Sequence, residues 1–268
     1  MRQKIVNTLR GLGLVSLIDI IRFRYQSFKS SGKNTEFIKM HPNEAFPEPY
    51  MIYETFRMSY ERYFNSGKET AMELWKEMQP YLDNKSAVKI LDWGCGPARV
   101  VRHLPKILPQ GSEIFGSDYN ESYVKWCAAH IPGVIFKDNQ LEPPLDFEAG
   151  FLDAVYALSI FTHLAEPTHH QWMEEVMRVL KPGGLFYFTT HGAITKENLL
   201  PFEKEAFDGE KLVVRANVKE GHRMFVAYHP EQFIRKLVAP YAEVLSFQPG
   251  TRQPWGLQQD AWLIRKKS

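Results

Sequence analysis

From Val88 to Gly192 the chain alternates short apolar runs with helical patterns, and that alternation leaves few folds open. VKILDWG, EIFGSDY, GVIFKD, LDAVYALS and GLFYFTTHG read as five strands. Residues 98–108, residues 120–130 and THHQWMEEVMRVL read as helices between them. Strands alternating with helices imply βαβ units and a parallel sheet covered on both faces. AEVLSFQ and DAWLIRKK follow as two closing strands, close enough to pair antiparallel around the long loop PGTRQPWGLQQ. The stretch before them, residues 193–228, is less regular, with HRMFVAYH strand-like; PEQFIRKLVAP then reads as a helix opened by Pro230.

The first third has a different texture. Ile5, Leu9, Leu12, Ser16 and Asp19 follow helical spacing, so residues 3–28 read as a helix or two short ones, weakened by Gly11 and Gly13. SSGKNTEF and HPNEAFPEPY read as loop. Residues 50–66 form an aromatic-rich helix with Tyr53, Phe56, Tyr60 and Tyr63 on one face, and residues 67–82 another. The expected organisation is an N-terminal helical extension and cap over 1–82 and a main domain over 83–268, with an acceptor-side insertion at about 193–228.

Charge and cysteine usage narrow the setting. The net charge is +2, too small for a general nucleic-acid binder, but residues 1–39 hold eight cations against two acids, a net +6 that leaves −4 for the rest. A basic helix with apolar residues suits either an anionic membrane surface, through residues 1–30, or packing against protein; packing is the commoner use of such a helix. With only Cys95 and Cys127, neither a disulfide framework nor a zinc site is expected, and a reducing cytosol fits. No apolar run reaches membrane-spanning length, and Arg10 and Asp19 interrupt anything like a signal peptide.

LDWGCGPARV, residues 91–100, ends the first strand in glycines, where ligands of open α/β sheets bind. Gly94 and Gly96 permit a sharp turn and close backbone approach. A dinucleotide loop fits poorly, because Arg99 stands where its third glycine belongs. Asp92 would also repel a pyrophosphate and attract a cationic ligand. Asp118, ending the second strand, can accept from both hydroxyls of a ribose. Tyr119 could pack on a base, and after the third strand Asn139 could take the base's amino group while Leu141 covers its face; Asp138 is the alternative polar group there and can equally be a turn residue.

Together VKILDWGCGPARV, IFGSDYN, FLDAVYALSIFTHL and VMRVLKPGGLFYFTTHG resemble the class I S-adenosylmethionine-dependent methyltransferases over about residues 85–192. Ala98 departs from the pattern, where many members have a third glycine. The resemblance implies a Rossmann-like seven-stranded α/β sheet of order 3-2-1-4-5-7-6 with strand 7 antiparallel. It also implies S-adenosyl-L-methionine, whose sulfonium and ammonium suit Asp92. Asp92, Gly94 and Gly96 would line the methionine portion, Asp118 the ribose, and Asn139 and Leu141 the adenine, with Leu158 and Ser159 in the floor after the fourth strand. In overall style residues 10–65 also resemble bacterial methyltransferases of cell-surface glycan assembly.

Methyl transfer needs chiefly in-line positioning, and an oxygen acceptor gains from a general base. His163 in IFTHL is the first candidate base and His191 the second; either could instead bond backbone or cap a helix. His229, beside Pro230, is expected to start a helix. His169 and His170 point about 100° apart on a helix, so they make no ligand pair, and metal dependence is not expected. Tyr53, Tyr60, Arg57, Arg223, Trp255 and Gln259 could line the cofactor or acceptor side. The expectation is cytoplasmic O-methylation of a small molecule or glycan. N-methylation, a quinone- or lipid-type acceptor, or a non-catalytic S-adenosylmethionine-binding module are the alternatives. The Asn/Asp-Pro-Pro-aromatic signature of nucleic-acid amino methylation is missing after the fourth strand, where LSIF stands.

Overall fold

The structure, a computed structural model, describes residues 15–268 other than 57, 83–86, 217, 219, 222–224 and 255, with backbone alone at 15–19 and 54–56. It divides into two compact units, Met1–Gly67 and Lys68–Ser268, so the division falls earlier than the expected boundary at 82.

In the first unit α1 spans Val15–Met40 and α2 Pro49–Phe56, followed by the start of α3, Tyr60–Met78. SSGKNTEF is therefore helix, not loop. Its local preference is overridden by what the helix buries and bonds. Phe37 packs into a cluster with Ile52, Tyr60 and Tyr63. The Asn34 amide donates to the Met58 carbonyl (2.8 Å) and accepts from the Tyr60 amide (3.2 Å). The expected helix over 50–66 is in fact broken, and the one over 67–82 begins at Tyr60. Met58 has φ of 65°, a left-handed conformation that no helix can run through.

The second unit is built on a seven-stranded sheet. Its strands are β1 Lys89–Trp93, β2 Glu113–Asp118, β3 Ile135–Asp138, β4 Leu152–Ala157, β5 Leu180–Thr190, β8 Ala242–Gln248 and β11 Asp260–Lys266. The order is β3-β2-β1-β4-β5-β11-β8, with β11 antiparallel to both neighbours. Counting sheet strands alone, this is the expected 3-2-1-4-5-7-6. Helices α4 (Glu121–His130), α5 (Glu166–Val179) and α7 (Glu231–Val238) accompany it, and Pro230 sits at the N-cap of α7. Two short hairpins complete the unit: β6 Val213–Arg215 with β7 Val226–Tyr228, and β9 Arg252–Gln253 with β10 Gly256–Leu257. A short helix α6, Pro201–Asp208, precedes β6.

Strand alternation sorts the core into two layers. Leu91, Trp93, Val155 and Phe186 pack with Trp172, Met173 and Val176 of α5 and with Ile234 and Leu237 of α7. Ile90, Ile114, Ala154, Tyr156 and Leu263 face the other layer, with Leu74 and Met78 of α3 and Cys127 of α4. The α-helix expected over 98–108 is a 3-10 run, Val101–Lys106. Pro105 lies inside it and lacks the N–H that an α-helix would need there.

Candidate functional site

The β1 turn is shaped by backbone geometry. Gly94 (φ 78°), Gly96 (φ 52°) and Ala98 (φ 60°) all take left-handed conformations. At Gly94 a Cβ would run into the Ile160 side chain, so any other residue there would strain the backbone and force Ile160 to move. Ala98 bears a conformation that favours glycine, at a cost of order 1 kcal/mol. The Gly94 and Cys95 amides both donate to the Ser117 carbonyl, at 2.8 and 2.9 Å, which ties the turn to the end of β2.

Asp118 joins the two loops. One carboxylate oxygen accepts from the Gly96 amide and the other from the Asn120 amide, each at 2.8 Å. Burial raises its pKa, and the two amides pull it back. Each oxygen keeps a second lone pair for an incoming hydroxyl.

Asp118 lines a cleft with Gly94, Tyr119, Asn139, Leu141 and His163. Six of the residues expected to serve the cofactor or the chemistry thus meet in one cavity. Gly96 contributes through its amide to Asp118. Asn139 is aimed: its side-chain nitrogen donates to the Gln140 carbonyl (2.6 Å), while its Oδ1 is buried with no hydrogen-bond donor among the described residues. An orphaned acceptor beside a carboxylate that can hold a diol is what an adenosine group requires.

Asp92 sits differently from expectation. It is buried on the layer opposite Trp93, paired across β1 and β4 with Tyr156, and is not among the cleft-lining residues. Burial pushes its carboxyl up to about 7, while Tyr156 and Arg99 pull it down. Leu158 and Ser159 also stand back from the cleft, and their neighbour Ile160 forms its wall. Ser159 (φ 66°) instead braces the strand ends: its amide donates to Thr189 Oγ1 (2.9 Å) and its hydroxyl to Gln259 Oε1 (2.9 Å).

The histidines dock the insertion. His163 Nδ1 donates to the Phe225 carbonyl (2.7 Å), and His191 Nδ1 to the Ala227 carbonyl (3.1 Å), so both read one edge of β7. For His163 that bond leaves the acceptor lone pair on Nε2. His191 is half-buried, with its pKa pushed down to about 4 by desolvation, and His163 adds to the depression. It lines no part of the cleft. His169 is fully buried, with Nδ1 bonded to the Ala165 carbonyl (2.7 Å) and Nε2 2.9 Å from His229 Nε2. Among the described residues no cluster of three or more His, Cys, Asp or Glu side chains could hold a metal ion.

The remaining sequence-derived candidates fall elsewhere. Tyr53 and Tyr60 belong to the first unit. Tyr53 packs edge-on against Phe23 at 5.3 Å, and the Tyr60 hydroxyl donates to the Pro47 carbonyl (2.7 Å), buried with its pKa pushed up to about 12. Arg57, Arg223 and Trp255 lie outside the described residues. Sequence reading missed Trp93, Ile160, Leu164 and Trp172, which give the cleft its apolar walls, and Gly221, which closes it. Trp172 Nε1 donates to the Leu141 carbonyl at 3.0 Å, fixing the loop after β3. The Gly221 amide donates to the His163 carbonyl (2.9 Å), and its own carbonyl accepts from the Tyr119 hydroxyl (3.1 Å).

A sheet of this order, parallel but for β11, with its cleft over β1 and β2, is the fold of the class I S-adenosylmethionine-dependent methyltransferases. Residues 90–184 match the family described as Methyltransferase domain, so this part of the chain is a methyltransferase domain of that class. Over 108 residues it is 35% identical to a sterol 24-C-methyltransferase of Gibberella zeae, covering 38% of this chain and 27% of that protein. Over 178 residues it is 24% identical to a malonyl-[acyl-carrier protein] O-methyltransferase of Bacillus cytotoxicus, covering 63% of this chain and 57% of that protein. The chain therefore spans less than two thirds of the length of these curated relatives. Among solved structures, the Burkholderia thailandensis 1,6-didemethyltoxoflavin-N1-methyltransferase, with bound 1,6-didemethyltoxoflavin and S-adenosylhomocysteine, shares the fold. Its TM-score is 0.55 at 15% identity, over 84% of this chain and 92% of that one. Neither curated relative is named for a glycan, and the glycan-assembly likeness of residues 10–65 draws no support from them.

Proposed function

We propose that the protein transfers the methyl group of S-adenosylmethionine to an oxygen of a small molecule, with His163 as general base. The observation that carries this reading is the hydrogen bond from His163 Nδ1 to the Phe225 carbonyl, at the cleft wall. It holds the imidazole in the tautomer whose Nε2 can take a proton, and fixes the ring's orientation.

Bound S-adenosylmethionine supplies an electrophilic methyl carbon on a positively charged sulfur. The chain's own residues would do the rest. Asp118 accepts the ribose hydroxyls, and Asn139 Oδ1 accepts from the adenine amino group. Trp93, Ile160, Leu164 and Trp172 keep water from the reacting atoms. His163 Nε2 receives the acceptor's hydroxyl proton as its oxygen becomes bonded to carbon. A neutral protein wall is suited to this step, since positive charge on sulfur is lost as the reaction proceeds and a fixed anion there would favour the ground state. His191, neutral at physiological pH, places no competing cation beside His163.

The name of the Bacillus relative supports oxygen as the acceptor atom, and the apolar walls support a small acceptor with a hydrophobic body. The test is a methyl-label transfer screen across phenols, carboxylic acids, quinols, amines and glycans. Label on a phenol or quinol that is lost with His163→Ala is the expected result. Transfer to amines alone, or transfer indifferent to His163, overturns the assignment.

A further inference from the structure

We propose that the outward face of α1 docks on an anionic lipid surface. The proposal concerns the first unit and stands whether or not His163 acts as a base. Helix α1 is apolar on two opposite faces. Phe23 and Phe37 turn inward, onto Tyr53 and onto Phe46 and Phe64 respectively. Roughly half a turn away lie Ile21, Tyr25 and Phe28, spaced four and three apart, which at 100° per residue makes one stripe. These side chains are 59%, 64% and 83% exposed.

Cations flank that stripe. Arg24 lies on one side, and Lys29, Arg22 and Lys33 on the other, all exposed. Lys39 continues the stripe's direction toward the end of the helix, and Glu36 is the one acid over residues 20–40. Bulky apolar side chains with a cationic border are the pattern of a helix lying in the plane of an interface, with its apolar side among acyl chains and its cations among headgroup phosphates. Among the described residues no helix is long and apolar enough to cross a membrane, so the contact lies along the surface.

A second copy of the chain fits this face less well. Three side chains fall far short of the roughly 800 Å² per partner of a stable interface. Burying the stripe against protein would also desolvate the bordering lysines and arginines, which such interfaces exclude from their cores. Phosphate headgroups neutralise them instead.

The test is flotation of the full-length protein with vesicles of phosphatidylcholine alone or mixed with phosphatidylglycerol, at low and high salt. Co-flotation with the mixed vesicles, absent with phosphatidylcholine alone and reduced by salt, is the expected result. Ile21→Ser with Phe28→Ser should lower the partition coefficient at least about tenfold, because each removes a side chain from the acyl region. Arg22→Glu with Arg24→Glu should lower it comparably, and only for the anionic vesicles. All four positions are exposed, so the melting temperature should hold and separate lost docking from lost folding. No flotation, flotation equal on both vesicle types, or flotation unaffected by both double variants overturns the proposal. So does a dimer in solution that Phe28→Ser dissociates in the absence of lipid, which would assign the face to a second copy.

Discussion

His163 Nδ1 lies 2.7 Å from the carbonyl oxygen of Phe225, so the candidate base is oriented by the insertion rather than by the sheet that carries it. That division of labour makes a clear prediction. His163→Ala should lower single-turnover methyl transfer by roughly 10²–10⁴-fold, the usual contribution of a positioned base. S-adenosylhomocysteine affinity, measured by calorimetry, should change by less than about threefold, because a base acts on the transition state rather than on ground-state binding. A variant that lost affinity and rate in equal measure would mark His163 as a wall of the cofactor site instead.

Asp92 and Tyr156 are direct neighbours across β1 and β4, and burial has raised the Asp92 carboxyl to about 7. The unfolded chain ionises this group near its ordinary value of about 3.9. Between those two values the folded state binds the extra proton, so its contribution is largest below the unfolded pKa and declines as pH rises toward 7. Above pH 7 the full burden of a buried carboxylate is present, up to about 4 kcal/mol. Asp92→Asn should therefore raise the melting temperature at pH 8 and leave it nearly unchanged at pH 4. Differential scanning calorimetry at pH 4 and pH 8 checks the sign; an equal gain at both pH values would show that the Asp92 carboxyl is not raised by burial.

Strand period and turn residues make the strand ends legible, and Asp118, Asn139, Leu141 and His163, read at those ends, line one cleft; the sheet order came from the family resemblance rather than from the pattern. Sequence reading went astray where tertiary contacts override local preference. SSGKNTEF looks like loop, yet Asn34 and Phe37 hold it helical through partners more than twenty residues along the chain in one case and an aromatic cluster in the other. The cleft walls were illegible for a related reason. Trp172 reads as an ordinary buried helix residue, and only the fold brings its indole to the Leu141 carbonyl. Gly221 lies in irregular sequence whose sole signal is a glycine between charged residues. Asp92 was legible as an acid but not as a buried one, because strand alternation alone does not say which layer the ligand occupies.

Asn139 Oδ1 is buried without a donor among the described residues, while Nδ2 is engaged by the Gln140 carbonyl. An adenine amino group would complete it. Removing one partner of such a bond costs about 1–1.5 kcal/mol, so Asn139→Ala should weaken S-adenosylhomocysteine binding by roughly tenfold. The inosine analogue, which lacks the amino group, should bind the unaltered protein about tenfold more weakly and lose nothing further in Asn139→Ala. If the two losses added in full, Asn139 and the amino group would not be partners.

Gly94 and Ile160 are in contact so close that a Cβ on Gly94 would lie 2.0 Å from Ile160 Cδ1 and 2.6 Å from its Cγ1. Two effects should therefore combine in Gly94→Ala. The left-handed φ of 78° disfavours any side chain by roughly 1–2 kcal/mol, wherever Ile160 goes. The clash adds to this by driving Ile160 out of its place in the cleft wall. The two are separable, because Ile160 can be trimmed. Gly94→Ala alone should lower both the melting temperature and S-adenosylhomocysteine affinity. Gly94→Ala combined with Ile160→Ala should recover much of the affinity relative to Gly94→Ala, since the steric conflict is gone. It should retain the backbone cost, read as a melting temperature below that of Ile160→Ala by several degrees. Purely additive losses in the double variant would show that the turn's conformation alone governs the site, and that Ile160 does not respond to Gly94.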